Sequence, residues 1–368
     1  MARIEKRGVV GSDVITLSRD SIKEHFITLT PQGDESPESL FHRAADVVAQ
    51  VGGDVVSIES LGMAPSDRNS LDVLNTSLNG DGVPVGWVEN ARTDNLCGVH
   101  IWLVEGAKVV PLCLDGRRVG TAFGDDHARY CRLVGLLPSS AAASRKGQAE
   151  GVLRQMNAAL LDYGMTFSNV LRTWFYNTDI LDWYGDFNNV RDAFFREKEV
   201  FGKLVPASTG VGGCNAIGAA LIAGTFAVEA RDASVKAFAV PSPLQSSALD
   251  YGSSFSRAVE LDTPDHRRLY VSGTASIDKA GKTVFLSDTP AQVKLTMEVV
   301  QAILRSRDMD WTDVTRSLVY FKNAEDAGLF AAYREENDLP AFPAVVVEND
   351  ICRDDLLFEI EVDAVKAE

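Results

Sequence analysis

The stretch CRDDLLFEIEVDAV near the end of the chain brings a thiol, an arginine and a carboxyl group together as Cys352, Arg353 and Glu359. Leu357, Glu359 and Glu361 alternate with Phe358, Ile360 and Val362, the period-two pattern of a strand with one apolar face. A carboxylic acid among such neighbours, with no basic residue between Arg353 and itself, can be raised toward neutrality by burial and then act as a general acid. The same alternation also fits a Glu359 that faces solvent on the polar side of an edge strand. Cys352 has two readings as well, a reactive thiol or a small core residue. An anionic substrate on a chain of formal charge −16 needs specific arginines, whose guanidinium forks bind carboxylates in bidentate geometry. Arg257 and Arg172 are candidates, with Arg316 as the repeat partner of Arg172; each also fits an ordinary ion pair at a strand or helix end. Ser272, Gly273 and Thr274 offer hydroxyl and backbone donors, although Ser-Gly is equally a strand-to-turn signal.

Other chemistries lack their residues. The GKT at Gly281 to Thr283 has Ser276 where a phosphate-binding loop needs its first glycine, so it reads as a hairpin turn. PASTGVGG has the glycines of a phosphate loop without their spacing, and a bulge or close backbone approach is its expected use. The five histidines form no H-E-x-x-H, no G-x-S-x-G serine is present, and no C-x-x-C accompanies an H-x-E. No metal and no cofactor are expected. Cys97, Cys113, Cys131, Cys214 and Cys352 are odd in number and scattered, which fits neither a disulfide framework nor a zinc site and points to a reducing compartment.

The elements that must position these groups are visible in a self-match. Gln148 to Tyr176 and Gln292 to Tyr320 align without gaps at an offset of 144, with identities at Gln148/Gln292, Ala158/Ala302, Leu160/Leu304, Met165/Met309, Val170/Val314, Arg172/Arg316 and Tyr176/Tyr320. Val152, Met156 and Leu160, and Met297, Val300 and Leu304, recur at helical spacing, so each copy opens with an amphipathic helix and then turns into a strand ending at the shared tyrosine. Second helices follow, DWYGDFNNVRDAFFREK and the shorter EDAGLFAAYREEN. Beyond them Phe226 laid on Phe358 puts Ala227 opposite Glu359. DVITL, HFITLTP, RLYVSGTASID and KTVFL read as strands ahead of the helices, and SPESLFHRAADVVAQV as an extra helix. The Pro-, Ser- and Gly-rich VPSPLQSSALDYGSS reads as a linker. An α+β fold of two tandem domains results, 1–235 enlarged and 236–368 carrying the site, each a mixed sheet with helices on one face.

At 368 residues, 45% hydrophobic, the chain can give two domains real cores. Its charge disfavours nucleic acid and membrane surfaces, and the short basic clusters Arg117-Arg118 and His266 to Arg268 read as solvated loops. No signal-peptide core or membrane span is evident, and a cytoplasmic location is expected.

FSRAV, LYVSGTASID, VTRSLVYFK and CRDDLLFEIE, in this order over residues 252 to 363, resemble domains of the RidA/YjgF superfamily. LRTWFY, WYGDFNNVR and PASTGVGG resemble the amino-terminal domain of its two-domain, chorismatase-like branch. RidA deaminases carry an arginine 15 residues before the glutamate, where this chain has Ala344, and a tyrosine that Phe255 replaces here. Chorismatases share F-x-R-A, here Phe255 to Ala258, and one subgroup has a cysteine 7 residues before its catalytic glutamate, the spacing of Cys352 and Glu359. The resemblance implies that Glu359 protonates an enol-ether methylene, that the enolpyruvyl group leaves as pyruvate, and that Cys352 helps to decide the fate of the ring. Where chorismatases hold substrate carboxylates with linker tyrosines and arginines, this chain has LQSSALDYG, in which Tyr251 remains. The expected partner is a small anionic metabolite, within a homo-oligomer that the resemblance makes a trimer. The rival readings are a RidA-like imine or enamine hydrolase and a non-catalytic small-molecule-binding assembly.

Overall fold

The computed structural model describes residues 2–9, 11–62, 76, 85–90 and 96–368. The first sheet contains β1 (Arg3–Val9), β2 (Ser12–Ser18), β3 (Lys23–Leu29), β4 (Asp54–Gly62), β5 (Val85–Glu89) and β6 (Leu96–Glu105), with helix α1 (Pro37–Val51). The second contains β7 (Val110–Leu114), β8 (Arg117–Gly124), β9 (Ala128–Leu136), β10 (Val170–Asn177), β11 (Ala207–Gly212) and β12 (Leu221–Ala230), with α2 (Arg145–Asp162) and α3 (Ile180–Glu197). The third contains β13 (Lys236–Val240), β14 (Ala258–Asp262), β15 (His266–Ala275), β16 (Val314–Phe321), β17 (Val345–Glu348) and β18 (Phe358–Ala367), with α4 (Thr289–Arg305) and α5 (Gly328–Glu336).

All three sheets have one topology. Three strands run as an antiparallel meander, the fourth and fifth pair in parallel, and the sixth inserts antiparallel between the third and fourth. The α+β class and the tandem sheets agree with the sequence, but residues 1–235 hold two such sheets where one enlarged domain was expected. The first sheet escapes notice because its sequence has no counterpart of the Gln-to-Tyr string shared by the other two. KTVFL is not a strand: Thr283 makes an isolated bridge to Ile277, and Phe285 turns away at φ +59°.

The repeated glutamine shows how each copy closes. Gln148 donates to the carbonyls of Ala141 and Ala143 and accepts from Ala220 N–H. Gln292 donates to those of Phe285 and Asp355 and accepts from Leu357 N–H. Each therefore pins the residue just before the last strand. Ala220 and Leu357 are equivalent, so Phe358 corresponds to Leu221, not Phe226, and the residue matching Glu359 is Ile222 rather than Ala227. Strand pairing agrees, since Tyr176 faces Ile222 as Tyr320 faces Glu359.

The parallel edge strand of each unit lies on the next unit: β5 on β9, β11 on β15, β17 on β6. One chain thus closes a head-to-tail ring of three units. The helices cover the outer faces over the apolar residues of β10 and of β16 and β18, while Phe123, Tyr130, Trp174, Phe226 and Tyr270 meet inside. Charge is buried there too. Glu59 on β4 pairs with Arg132 of β9 at 2.9 Å and Arg316 of β16 at 3.2 Å, joining all three units. No helix among the described residues is long and apolar enough to cross a membrane.

Removing one partner from such a buried set leaves the others uncompensated, which costs about 3–5 kcal/mol. Glu59→Ala should therefore lower the unfolding free energy by that order in urea titrations, and a loss below about 1 kcal/mol would show that Glu59 does not tie the units together.

Candidate active site

Strand β18 runs between β15 and β16, so neither of its faces is an edge. Phe358, Ile360, Val362 and Ala364 pack under the helices. The alternate residues Glu359, Glu361 and Asp363 point the other way, into the junction with the second unit, and Glu359 is 4% and Glu361 0% exposed. The solvent-facing reading of Glu359 is thereby excluded.

The two neighbouring glutamates have opposite surroundings. Glu361 receives Arg172 Nη2 at 3.0 Å, Arg316 Nη1 at 2.6 Å and Trp174 Nε1 at 2.9 Å. Burial alone would raise its pKa, but Arg316 and Arg172 overcome that and hold it below the usual carboxylate value. Glu359 has no such donors among the described residues. Burial, reinforced by the negative charge of Glu361 and only partly opposed by Arg172, pushes its pKa up to about 8. A carboxyl of this kind carries its proton at neutral pH.

Around it the second and third units interlock. Ser208 N–H donates to Ser272 Oγ at 2.8 Å, Ser272 Oγ donates to the Ser256 carbonyl at 2.6 Å, and Ser256 N–H donates to the Pro206 carbonyl at 3.0 Å. Gly273 sits in the bulge between Val271 and Thr274, where β15 leaves register with β18. Glycine leaves the carboxyl its place: a β-carbon there would stand 2.0 Å from Glu359 Oε1. From α3 the Tyr184 ring lies over Gly210, its hydroxyl 3.2 Å from where a β-carbon on that glycine would be. Arg191, two turns along the same helix, is 1% exposed. Tyr184 shares its electrostatic surroundings with Cys352, Arg191, Glu359 and Tyr251, which places these five groups together.

Cys352 is half-buried and packs with Tyr251 against Ala275, Ile277, Ile351 and Leu356. Burial and the neighbouring Glu359 push its thiol up to about 12, so it is neutral and not a thiolate. The Arg257 guanidinium lies 5.4 Å from the Tyr251 ring centre and 5.5 Å from that of Phe255. Arg257 Nε donates to the Ser246 carbonyl at 3.0 Å, while its buried Nη2 and the buried Nε of Arg191 have no hydrogen-bond partner among the described residues. The segment read as a linker is thus a wall of the site, fixed by Gln245 donating to the carbonyls of Ala275 and Ile277.

Of the residues singled out in the sequence, Glu359, Cys352, Tyr251, Arg257 and Gly273 converge. Arg172 is fully buried and donates through Nη2 to Glu361 and Thr209, while its Nε and Nη1 have no hydrogen-bond partner among the described residues. The Ser272 hydroxyl bonds backbone on both sides, and Thr274 Oγ1 donates to the Ser272 carbonyl at 2.8 Å, so neither hydroxyl is offered to a ligand. Tyr184, Arg191 and Thr209 were missed. The WYGDFNNVR string contained a signal, since Tyr184 and Arg191 are seven residues apart and share one helix face. Among the described residues no group of three or more His, Cys, Asp or Glu side chains could hold a metal ion.

Residues 245–366 match the protein-family model described as Endoribonuclease L-PSP. Across 93% of this chain and 98% of the other, the fold is similar to that of a chorismatase crystal structure, with 20% sequence identity and a TM-score of 0.63. A putative endoribonuclease L-PSP from Entamoeba histolytica matches 36% of this chain over 100% of its own, at 22% identity and a TM-score of 0.29. The YjgF gene product of E. coli matches 35% over 98% of its own, at 20% identity and a TM-score of 0.28. No curated protein matches in the sequence comparison. The carboxy-terminal third of the chain thus carries the match to this family, and the chain as a whole has a fold similar to that of chorismatase.

The raised carboxyl has a signature in stability. A folded-state pKa above the unfolded value means that the folded protein holds the extra proton between about pH 4.3 and pH 8. Stability from this group is complete below that window and is lost as pH rises through it. Relative to Glu359→Gln, the wild type should lose up to about 1.4 kcal/mol per pH unit across the window and then run parallel. Parallel curves throughout would mean that Glu359 titrates as an ordinary carboxylate.

Proposed function

We propose that the protein is a chorismatase-like enzyme that cleaves the enolpyruvyl ether of chorismate, or of a similar small carboxylated substrate, and releases pyruvate. The observation that carries this reading is Glu359: a buried carboxyl with its pKa at about 8, in a site to which Arg257 and Arg191 each bring a buried nitrogen without a partner among the described residues. Enol ethers hydrolyse slowly because the step that commits them is protonation of carbon, and that needs a positioned acid still protonated at working pH. Glu359 donates its proton to the terminal methylene, and the resulting oxocarbenium carbon takes up water. The hemiketal so formed collapses to pyruvate and the ring alcohol, with Glu359 re-protonated from solvent.

Arg257 and Arg191 are the carboxylate clamps of this reading, and Arg172 stays committed to Glu361 through Nη2. A neutral Cys352 next to the acid contributes shape and a weak S–H donor at the ring, and so bears on whether a hydroxybenzoate-type or a dihydroxy-cyclohexadiene product is released. Tyr251 and Tyr184 border the substrate. The three-unit ring lies within one chain, so this site takes its residues from two units of the same molecule and does not need a second copy for them.

The two arginines also favour a second reading, hydrolysis of an imine or enamine bearing a carboxylate, since they supply what Ala344 does not; that residue packs into the helix-covered core instead. Chorismate incubated with purified protein separates the two. Pyruvate should appear, its rate should fall as pH rises past about 8, and Glu359→Gln should abolish it. No pyruvate from folded wild type excludes chorismate, and ammonia release from imino acids then tests the second reading. Gly273→Ala should act almost as strongly as Glu359→Gln with little loss of stability, because its methyl displaces a flexible carboxyl end rather than backbone.

A further inference from the structure

Glu359 is held by what packs on it. Burial and the charges of Glu361 and Arg172 account for its state, with no hydrogen bond to its carboxyl among the described residues. The surface that closes on it is the Gly273 backbone, and Gly273 lies in a bulge where the β15–β18 ladder does not fix it. Its N–H is fixed from the neighbouring unit instead, donating to Thr209 Oγ1 of β11 at 3.1 Å. The same oxygen accepts Arg172 Nη2 at 2.6 Å, and that nitrogen also donates to Glu361 at 3.0 Å. A hydroxyl oxygen has two lone pairs, and here both are engaged. Thr209 is 1% exposed, so water does not substitute for either contact.

We propose that Thr209 is a positioning residue for the acid: its hydroxyl ties the Glu361–Arg172 pair of the ring interior to the Gly273 backbone and thereby sets the enclosure and aim of the Glu359 carboxyl. This rests on the reading of Glu359 as the acid and adds a determinant from across the unit boundary. Valine has nearly the shape of threonine without the hydroxyl, so Thr209→Val strands the Gly273 N–H and releases Arg172. The bulge then relaxes, water reaches the carboxyl, and solvation favours its ionised form. The proton donor also loses its alignment, to which rates are sensitive at the level of about 100-fold per ångström.

The test compares wild type, Thr209→Val and Thr209→Ser. The Glu359 titration is followed by carboxyl carbon NMR, with Glu359→Gln assigning the signal, and pyruvate release from chorismate is measured alongside. In Thr209→Val the midpoint should fall by about one pH unit or more, and kcat about 10- to 100-fold with KM nearly unchanged. Thr209→Ser, which keeps the hydroxyl, should restore both. A Thr209→Val protein with the wild-type midpoint and kcat overturns the proposal. Absence of pyruvate from wild type would count against the substrate alone, and the midpoint comparison would still decide the role of Thr209. Should Thr209→Val not fold, amide exchange at Gly273 decides: slow exchange in wild type and Thr209→Ser supports the tie, and fast exchange in wild type refutes it.

Discussion

Glu361 is the group on which the rest of the structure depends. It sits on the central strand of the third unit, fully buried, and is neutralised by Arg316 from its own sheet and Arg172 from the next. Such a pair adds little stability over apolar packing, but leaving either side unpaired is costly. Its value is in register. β10 and β18 come from different units, and the pair is satisfied only when their strands stand at the right height. Glu59 does the same for the first unit through Arg132 and Arg316. Burial keeps the carboxyl two residues before it neutral, and the fixed charge of Glu361 adds to this, since a second ionised glutamate beside the first is disfavoured.

Three units of one topology generate three equivalent junctions, yet the acid occurs at one. The position of Glu359 is taken by Ile222 in the second unit and by Gly98 in the first, as the facing residues Tyr320, Tyr176 and Leu61 show. Ile222 belongs to the inter-sheet core. At Gly98 a β-carbon would meet the Leu29 carbonyl at 2.7 Å and Val345 at 2.8 Å, so the junction between first and third units is closed by direct packing. A homo-oligomeric ring must repeat every side chain at each interface. A ring made by one chain is free to put chemistry at one junction and packing at the others.

Much of this was legible because the second and third units still share a string whose physical duties are local: a capped helix, a glutamine that pins the last strand, a strand ending in tyrosine. The first unit was not legible as a unit, since its strands are specified by alternation alone and alternation does not reveal topology. Misplacing the last strand of the second unit has a similar cause. Phe226 and Phe358 look alike, whereas the equivalence of Ala220 and Leu357 rests on backbone N–H groups that bind Gln148 and Gln292, which no side-chain pattern records. For the site, residues on its own strand were readable from spacing, and those contributed by the neighbouring unit, Tyr184, Arg191 and Thr209, were not. The ion pair of Arg172 was not readable for the same reason, because its carboxylate partner lies 189 residues away.

A one-residue slip of β18 would exchange its two faces, setting Glu359, Glu361 and Asp363 among the helices and Phe358, Ile360 and Val362 at the junction. Three carboxyls would then lie in an apolar layer with no arginine in reach, while Arg172 and Arg316 would face isoleucine and valine. The slip is therefore excluded by electrostatics on one face and by packing on the other. The residues that make the register unique are those that set the state of the acid, so that in this strand folding and the proposed chemistry are specified by the same charges.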